Sequence, residues 1–175
     1  MSEFARRRTI MVDTQVRPSD VTKFPIIDAM LSVPREMFVP DALQEASYAG
    51  EHLEVAPGRT LLDPRTFAKI LETVNIQPSD LVLDIGCGFG YSSAVAAHMA
   101  EAVIALDDSA EICAEAESAL AAAGVDKVAV VEGDLIVGAA KHGPYDVILF
   151  QGGVQDVPAA ICDQLKDGGR IGAIF

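Results

Sequence analysis

The stretch "LDIGCGFGYSS", residues 83–93, decides the fold. An apolar run ends at Asp84 and Ile85 and opens onto Gly86, Gly88 and Gly90, and the following "YSSAVAAHMA" reads as a helix. Without Cβ atoms the three glycines permit a tight turn and let the backbone approach a ligand closely. The helix that follows offers free N–H groups to an anion.

Outward from this turn, the chain alternates strands and helices. "LVLDI" and "AVIAL" read as strands, and "SAEICAEAESALAAAG" as a helix with Ile112, Ala116, Ala119 and Leu120 on one face. Asp108 with Glu111 gives that helix a capping-box-like start, and Gly124 its stop. "VAVV" and "DVILF" are further strands, "PAAICDQL" a helix and "RIGAIF" a last strand. Continuous apolar strands, each followed by a helix, indicate a parallel sheet covered on both faces. The expected fold is α/β: a doubly wound, mostly parallel, Rossmann-like domain over 79–175, preceded by a helical and loop region over 1–78. In that first region Ile27, Met30 and Leu31 share a helical face that stops at Val33, before Pro34. A turn-rich loop runs to about Gly58, and a helix capped by Asp63, with Pro64 in its first turn, ends near Asn75. The chain stops at Phe175 inside the last strand, whose open edge invites pairing with a second copy, so a homodimer is expected there.

Composition narrows the function. Half of the 175 residues are apolar, enough for one domain with a sizeable core. No charged start leads into a hydrophobic segment, and no apolar run reaches span length, so neither a leader nor a membrane span is expected. Cys87, Cys113 and Cys162 lie far apart without CxxC spacing or a histidine pair, which argues against disulfides and zinc and for a reducing compartment, the cytoplasm. A net charge of -13 disfavours nucleic acid as a partner. The run Arg6, Arg7 and Arg8 reads as a solvated helix face, and His52, His98 and His142 as structural or surface residues.

Three acids specify the ligand. A dinucleotide fingerprint spaces its last glycine three residues after the second, whereas here the pattern is G-x-G-x-G with Asp84 before it. An acid beside the glycines suits an ammonium better than a pyrophosphate. Asp107 ends the second strand, where a carboxylate accepts hydrogen bonds from both ribose hydroxyls, and Asp134 ends the third, within reach of an adenine amino group. The set matches S-adenosyl-L-methionine: ammonium near Asp84, carboxylate at the amides of the glycine turn, ribose at Asp107 and adenine near Asp134.

With "VPREMFVP" (33–40), Tyr48, "GRTLLDP" (58–64), "VLDIGCGFGYSSAVAA" (82–97), "EGD" (132–134), "PYDVILF" (144–150) and "QLKDGGR" (164–170), the chain resembles the protein-L-isoaspartate O-methyltransferases, within the class I methyltransferases. The resemblance implies a protein or peptide substrate methylated on a carboxylate, the first step of a repair in which the ester cyclises to a succinimide. It implies a cofactor site of Asp84, Gly86, Cys87, Gly88, Gly90, Asp107, Asp108, Asp134 and Leu135, with Thr60 at the acceptor. It also implies further strands after Phe175, which are missing here.

One motif departs from the family. Isoaspartyl methyltransferases typically read G-Q-T-I-S, and the serine hydroxyl is associated with the acceptor site. Here Leu62 stands in place of that serine and Asp63 adds negative charge beside it. Two alternatives therefore stay open: a methyltransferase with a different acceptor, and a catalytically silent module that binds the cofactor or a partner.

Overall fold

The computed structural model describes residues 1–175. The N-terminal region runs α1 (Glu3–Met11), helical turns at Val12–Val16 and Arg17–Ser19, and α2 (Phe24–Ser32). Short 3-10 turns at Arg35–Phe38 and Asp41–Leu43 lead to an antiparallel hairpin, β1 (Leu53–Ala56) and β2 (Arg59–Leu61), and then to α3 (Pro64–Val74). The sheet region follows as β3 (Leu81–Ile85), α4 (Tyr91–Met99), β4 (Ala102–Asp107), α5 (Ala110–Ala122), β5 (Val128–Glu132), β6 (Tyr145–Gly153), α6 (Ala159–Cys162) and β7 (Leu165–Ile174).

The five long strands lie in the order β5-β4-β3-β6-β7, every neighbour parallel. The chain steps outward from β3 through β4 and β5, then returns to the other side of β3 for β6 and β7. The carboxyl ends of β3 and β6 therefore flank the switch point, where open α/β sheets bind ligands. The central strands carry the apolar runs: Val82, Leu83, Val147, Ile148 and Leu149 are all fully buried.

Both faces are covered. On one, Phe67 and Leu71 of α3, Val95 of α4 and Leu120 of α5 share a core with Met11, Ile26 and Met30 from the N-terminal helices. On the other, Leu83, Ile85, Ile148 and Phe150 pack beneath Ile161 of α6 and against Tyr145. The first 78 residues thus build part of the core that supports the sheet.

Local chemistry sets several boundaries where the sequence puts them. The Asp63 carboxylate accepts from the Thr66 N–H at 3.0 Å with Pro64 in the first turn, and α3 ends on Asn75 in a left-handed conformation. Val33 leaves α2 in an extended conformation before Pro34.

Elsewhere the structure corrects the reading. The loop expected up to Gly58 contains the β1–β2 hairpin, turned by Pro57 and by Gly58 at φ +69°. Helix α5 is capped by Ser109, whose hydroxyl accepts from the Ile112 N–H, because the Asp108 carboxylate is drawn away to an arginine. Helix α6 has a single turn, and β7 begins at Leu165, since Leu165 already pairs with Tyr145. Of the arginine run only Arg6 is a solvated residue; Arg8 is 12% exposed, paired with Glu36 at 3.3 Å and with the Tyr48 hydroxyl at 3.0 Å. No helix is long and apolar enough to cross a membrane.

Candidate functional site

A cleft of about 530 Å3 opens at the carboxyl ends of β3 and β6. Ile85 and Gly86 form its floor, Leu135 and Ile136 one wall, Phe150 to Asp156 the other, and Gly58 and Arg59 of the hairpin its lip. Small-molecule sites commonly have this size and this mixture of apolar walls with a few polar groups.

Asp84 stands behind the glycine turn, where the sequence reading set it beside the ammonium. It is fully buried, and Ser92 Oγ (2.5 Å) and Ser93 Oγ (2.6 Å) donate to its Oδ2 while Gln151 Nε2 donates to Oδ1 at 2.8 Å. Burial pushes its carboxyl above the usual range, and the two hydroxyls and the amide pull partly back. Both serines lie in the first turn of α4, so the positive end of that helix also faces the charge. Asp84 orders the turn and reaches the cleft only through Gln151.

The turn spends its own amides. Gly86 and Cys87 donate to the Leu106 carbonyl at 2.9 and 3.2 Å, Gly88 to Asp107 Oδ2 at 3.2 Å, and Gly90 to the Cys87 carbonyl at 3.0 Å. These amides are thus bonded within the protein, whereas the leading N–H groups of α4 have no intrahelical partner. Gly90 must be glycine: its φ is +98°, and a Cβ there would stand 3.3 Å from Leu120 Cγ.

Asp107 ends β4 and is fully buried, and its carboxylate is held by an unforeseen partner. Arg59 Nε donates to Oδ1 at 3.1 Å and to Oδ2 at 2.9 Å, and another nitrogen of the same guanidinium pairs with Asp108. The hydrogen bond to Asp107 is the main reason that the Arg59 guanidinium holds its proton more strongly than usual. Arg59 lines the cleft and Asp107 lies behind it.

The remaining candidates divide. Leu135 lines the cleft; Asp134 is exposed, its Oδ1 accepting from the Ile136 N–H at 2.8 Å to close the turn after β5. Cys87 is buried and burial pushes its thiol far up, so it stays protonated and inert. Thr60 borders a crevice of about 10 Å3 between the hairpin and the glycine turn, with Val55, Cys87, Gly88, Tyr91 and Gln151. Leu62 is 3% exposed and packs into the main core, and its carbonyl accepts from Arg35 Nη2 at 2.8 Å. The buried Arg35 also donates to the Ser47 carbonyl at 2.5 Å and lies 4.7 Å from the centre of the Tyr91 ring. No group of three or more His, Cys, Asp or Glu side chains is placed to hold a metal.

Of the residues that line the cleft the sequence reading had named Gly86 and Leu135, and among those it missed are Arg59 and Gln151. Arg59 carried a signal, a charge where the resemblance has a neutral glutamine, whereas Gln151 in "FQGG" carried none beyond its place after an apolar strand.

Residues 7–173 match the family described as Protein-L-isoaspartate(D-aspartate) O-methyltransferase (PCMT). The chain is 36% identical over 171 residues to a protein-L-isoaspartate O-methyltransferase of Koribacter versatilis (strain Ellin345), covering 98% of this chain and 77% of that protein. Against the enzyme of that name from Methylorubrum extorquens (strain PA1) it is 37% identical over 167 residues, covering 95% and 73%. A solved protein-L-isoaspartate O-methyltransferase superposes with a TM-score of 0.77 at 29% identity, over 95% of this chain and 53% of that one. The chain thus spans about half the length of that solved relative. A Plasmodium falciparum structure described as a protein-L-isoaspartate O-methyltransferase in complex with S-adenosyl-L-homocysteine has the same fold, with a TM-score of 0.79 at 18% identity, over 94% of this chain and 82% of that one.

Proposed function

The chain belongs to the protein-L-isoaspartate(D-aspartate) O-methyltransferase family, and we propose that it uses S-adenosylmethionine to esterify the isoaspartyl carboxylate of damaged protein or peptide. The observation that carries the reading is Asp107, a carboxylate fully buried at the carboxyl end of β4, beside the glycine turn and behind the cleft. A buried acid at this edge is suited to two ribose hydroxyls.

The cleft fits the rest of the cofactor. Leu135, Ile136 and Phe150 offer apolar walls to an adenine, and Asp134 precedes them in the turn after β5. Gln151, held by Asp84, and the first turn of α4 offer polar groups to the amino acid end. Asp108 sits outside Asp107 at the ribose edge. When bound, S-adenosylmethionine supplies an electrophilic methyl on a positively charged sulfur.

This chain's residues then have to place an acceptor and keep water out. A carboxylate with a pKa of about 4 is already ionised at neutral pH, so no general base is required. Holding the acceptor oxygen in line supplies most of the acceleration such a reaction needs. Thr60 is the hydroxyl assigned to the acceptor, and Arg35 positions its strand by gripping the Leu62 carbonyl. A second reading keeps the cofactor and changes the acceptor to a small molecule or another protein group, because Leu62 supplies no hydroxyl where the resembling motif has one. For assembly, the outer position of β7 in the sheet supports a homodimer through that strand. Light scattering that shows only monomer at high concentration removes that assembly.

Isothermal titration with S-adenosylhomocysteine tests the cofactor, and an absence of binding to folded protein ends the reading. Radiolabelled methyl transfer to an isoaspartyl peptide, but not to its aspartyl control, is the expected result for the acceptor. Binding without transfer to either peptide removes the isoaspartyl assignment.

A further inference from the structure

The carboxylate proposed for the ribose is already held by three N–H groups. Its Oδ1 accepts from Arg59 Nε at 3.1 Å and the Asp108 N–H at 2.9 Å, and its Oδ2 from Arg59 Nε at 2.9 Å and the Gly88 N–H at 3.2 Å. These are three N–H groups, the Arg59 one shared between both oxygens, on about four lone-pair sites, so two incoming hydroxyls do not both find room until a donor leaves. The Gly88 and Asp108 donors are backbone groups fixed by the turn and by the strand end. Arg59 is the donor able to leave, because its guanidinium has a second partner in Asp108, a side chain 53% exposed.

A second observation concerns the hairpin that carries Arg59. It lies directly on the glycine turn: Val55 Cγ2 is 3.5 Å from where a Cβ on Gly88 would stand, and the space left between them is about 10 Å3. That is room for a water at most. A ligand that reaches Thr60 along the turn has to lift β1–β2.

We infer that Arg59 is a latch on the cofactor site: it competes with the ribose hydroxyls for Asp107, and its release frees the hairpin that carries Thr60. The inference rests on the S-adenosylmethionine reading of the cleft. It belongs to this chain's own sequence, since the resembling motif G-Q-T-I-S has an uncharged glutamine where Arg59 stands. Arg59 is thus a positioning residue that weakens the hold on cofactor and product alike and ties occupancy of the ribose site to opening of the acceptor side.

The test is calorimetric titration of S-adenosylhomocysteine into the wild type, Arg59→Gln and Arg59→Lys, repeated with the 2′,3′-dideoxy analogue. Arg59→Gln should bind S-adenosylhomocysteine at least about tenfold tighter, a change of about 1.4 kcal/mol. Arg59→Lys keeps the charge but lacks the Nε donor, so it should gain a few-fold; it also serves if the glutamine variant fails to fold. The gain should vanish with the dideoxy analogue, which has no hydroxyls to compete. If the wild type binds and neither variant binds tighter, or if the gain persists with the analogue, the latch is overturned and the cofactor reading stands. If wild type and variants all fail to bind, the cofactor reading falls and takes the latch with it.

Discussion

The glycine turn and the β1–β2 hairpin face each other at the cleft, and opposite means hold them. The turn is wired locally, with Gly86, Cys87, Gly88 and Gly90 each bonded to the turn itself or to the adjoining end of β4, and Asp84 fastened to the first turn of α4. The hairpin has only short strands, too few to be stable alone. It is pinned at long range, by Arg59 on Asp107 and by Arg35 on the Leu62 carbonyl. One side of the cleft is therefore held by near neighbours and the other by side chains from distant parts of the chain.

Removing the point where the two regions meet should have the largest effect. Asp107→Asn leaves Arg59, a side chain 13% exposed, without its buried counter-charge, and gives the ribose site an amide donor where it needs an acceptor. Arg59 keeps Asp108 as a partner, so the loss falls toward the low end of the about 3–5 kcal/mol that breaking a buried pair costs. We expect a large drop in the urea midpoint and at least about a hundredfold weaker S-adenosylhomocysteine binding, roughly 2.7 kcal/mol. Unchanged affinity in a folded variant would remove Asp107 from the site.

Next comes the hairpin side, where Leu62→Ser restores the hydroxyl of the resembling motif. Because position 62 is 3% exposed in the main core, the change should cost about 3 kcal/mol in a denaturant titration, from the vacated volume and a buried hydroxyl. Methyl transfer to an isoaspartyl peptide should not rise, since a side chain at 62 points into the core. A gain in transfer would show that position 62 reaches the acceptor after all.

The same contrast explains what the sequence made legible. Residues 79–153 could be read in order because β3 to β6 each contain a continuous apolar run and the glycine turn uses near neighbours, so periodicity and glycine spacing carry the information. Asp84 and Asp107 could be singled out for that reason, and both are fully buried near strand ends. The hairpin was missed because its strands hold only a few residues, shorter than any period can establish. Arg59 lies 48 residues from Asp107, and no local pattern links an arginine to a carboxylate that far along the chain. The Asp108 cap failed for the same cause: a remote guanidinium took the side chain and left the capping to Ser109.

A smaller effect probes the turn by itself. At Gly90 an alanine would have to hold φ +98° and place its Cβ 3.3 Å from Leu120 Cγ. A non-glycine residue in such a conformation costs about 1–3 kcal/mol. Gly90→Ala should therefore lower the unfolding midpoint by about 2 kcal/mol in equivalent stability, and Arg59→Gln should neither rescue nor worsen that loss. Strong coupling between the two changes would mean that turn and hairpin are one unit, against the comparison drawn above.

The smallest effect lies at the base of the hairpin, where Asp63 joins it to α3. Burial pushes the Asp63 carboxyl up, but hydrogen bonds from Thr66, the charge of His52 and the Arg65 N–H outweigh it, so its pKa lies below the usual carboxylate value. A carboxyl whose folded pKa is depressed contributes stability above its unfolded pKa, about 4, and loses it as pH falls through the lower folded value. Asp63→Ala should cost about 1 kcal/mol at neutral pH, the worth of an N-cap, and much less once the wild-type carboxyl is protonated. Asp63→Asn keeps an oxygen for the Thr66 N–H, so it should cost only a few tenths of a kcal/mol and show a flatter acid limb than the wild type. Urea midpoints for the three proteins at neutral pH and near pH 3 separate the cap from the charge. A steep acid limb in the asparagine variant would place the acid sensitivity elsewhere and leave Asp63 as a neutral hinge between hairpin and helix.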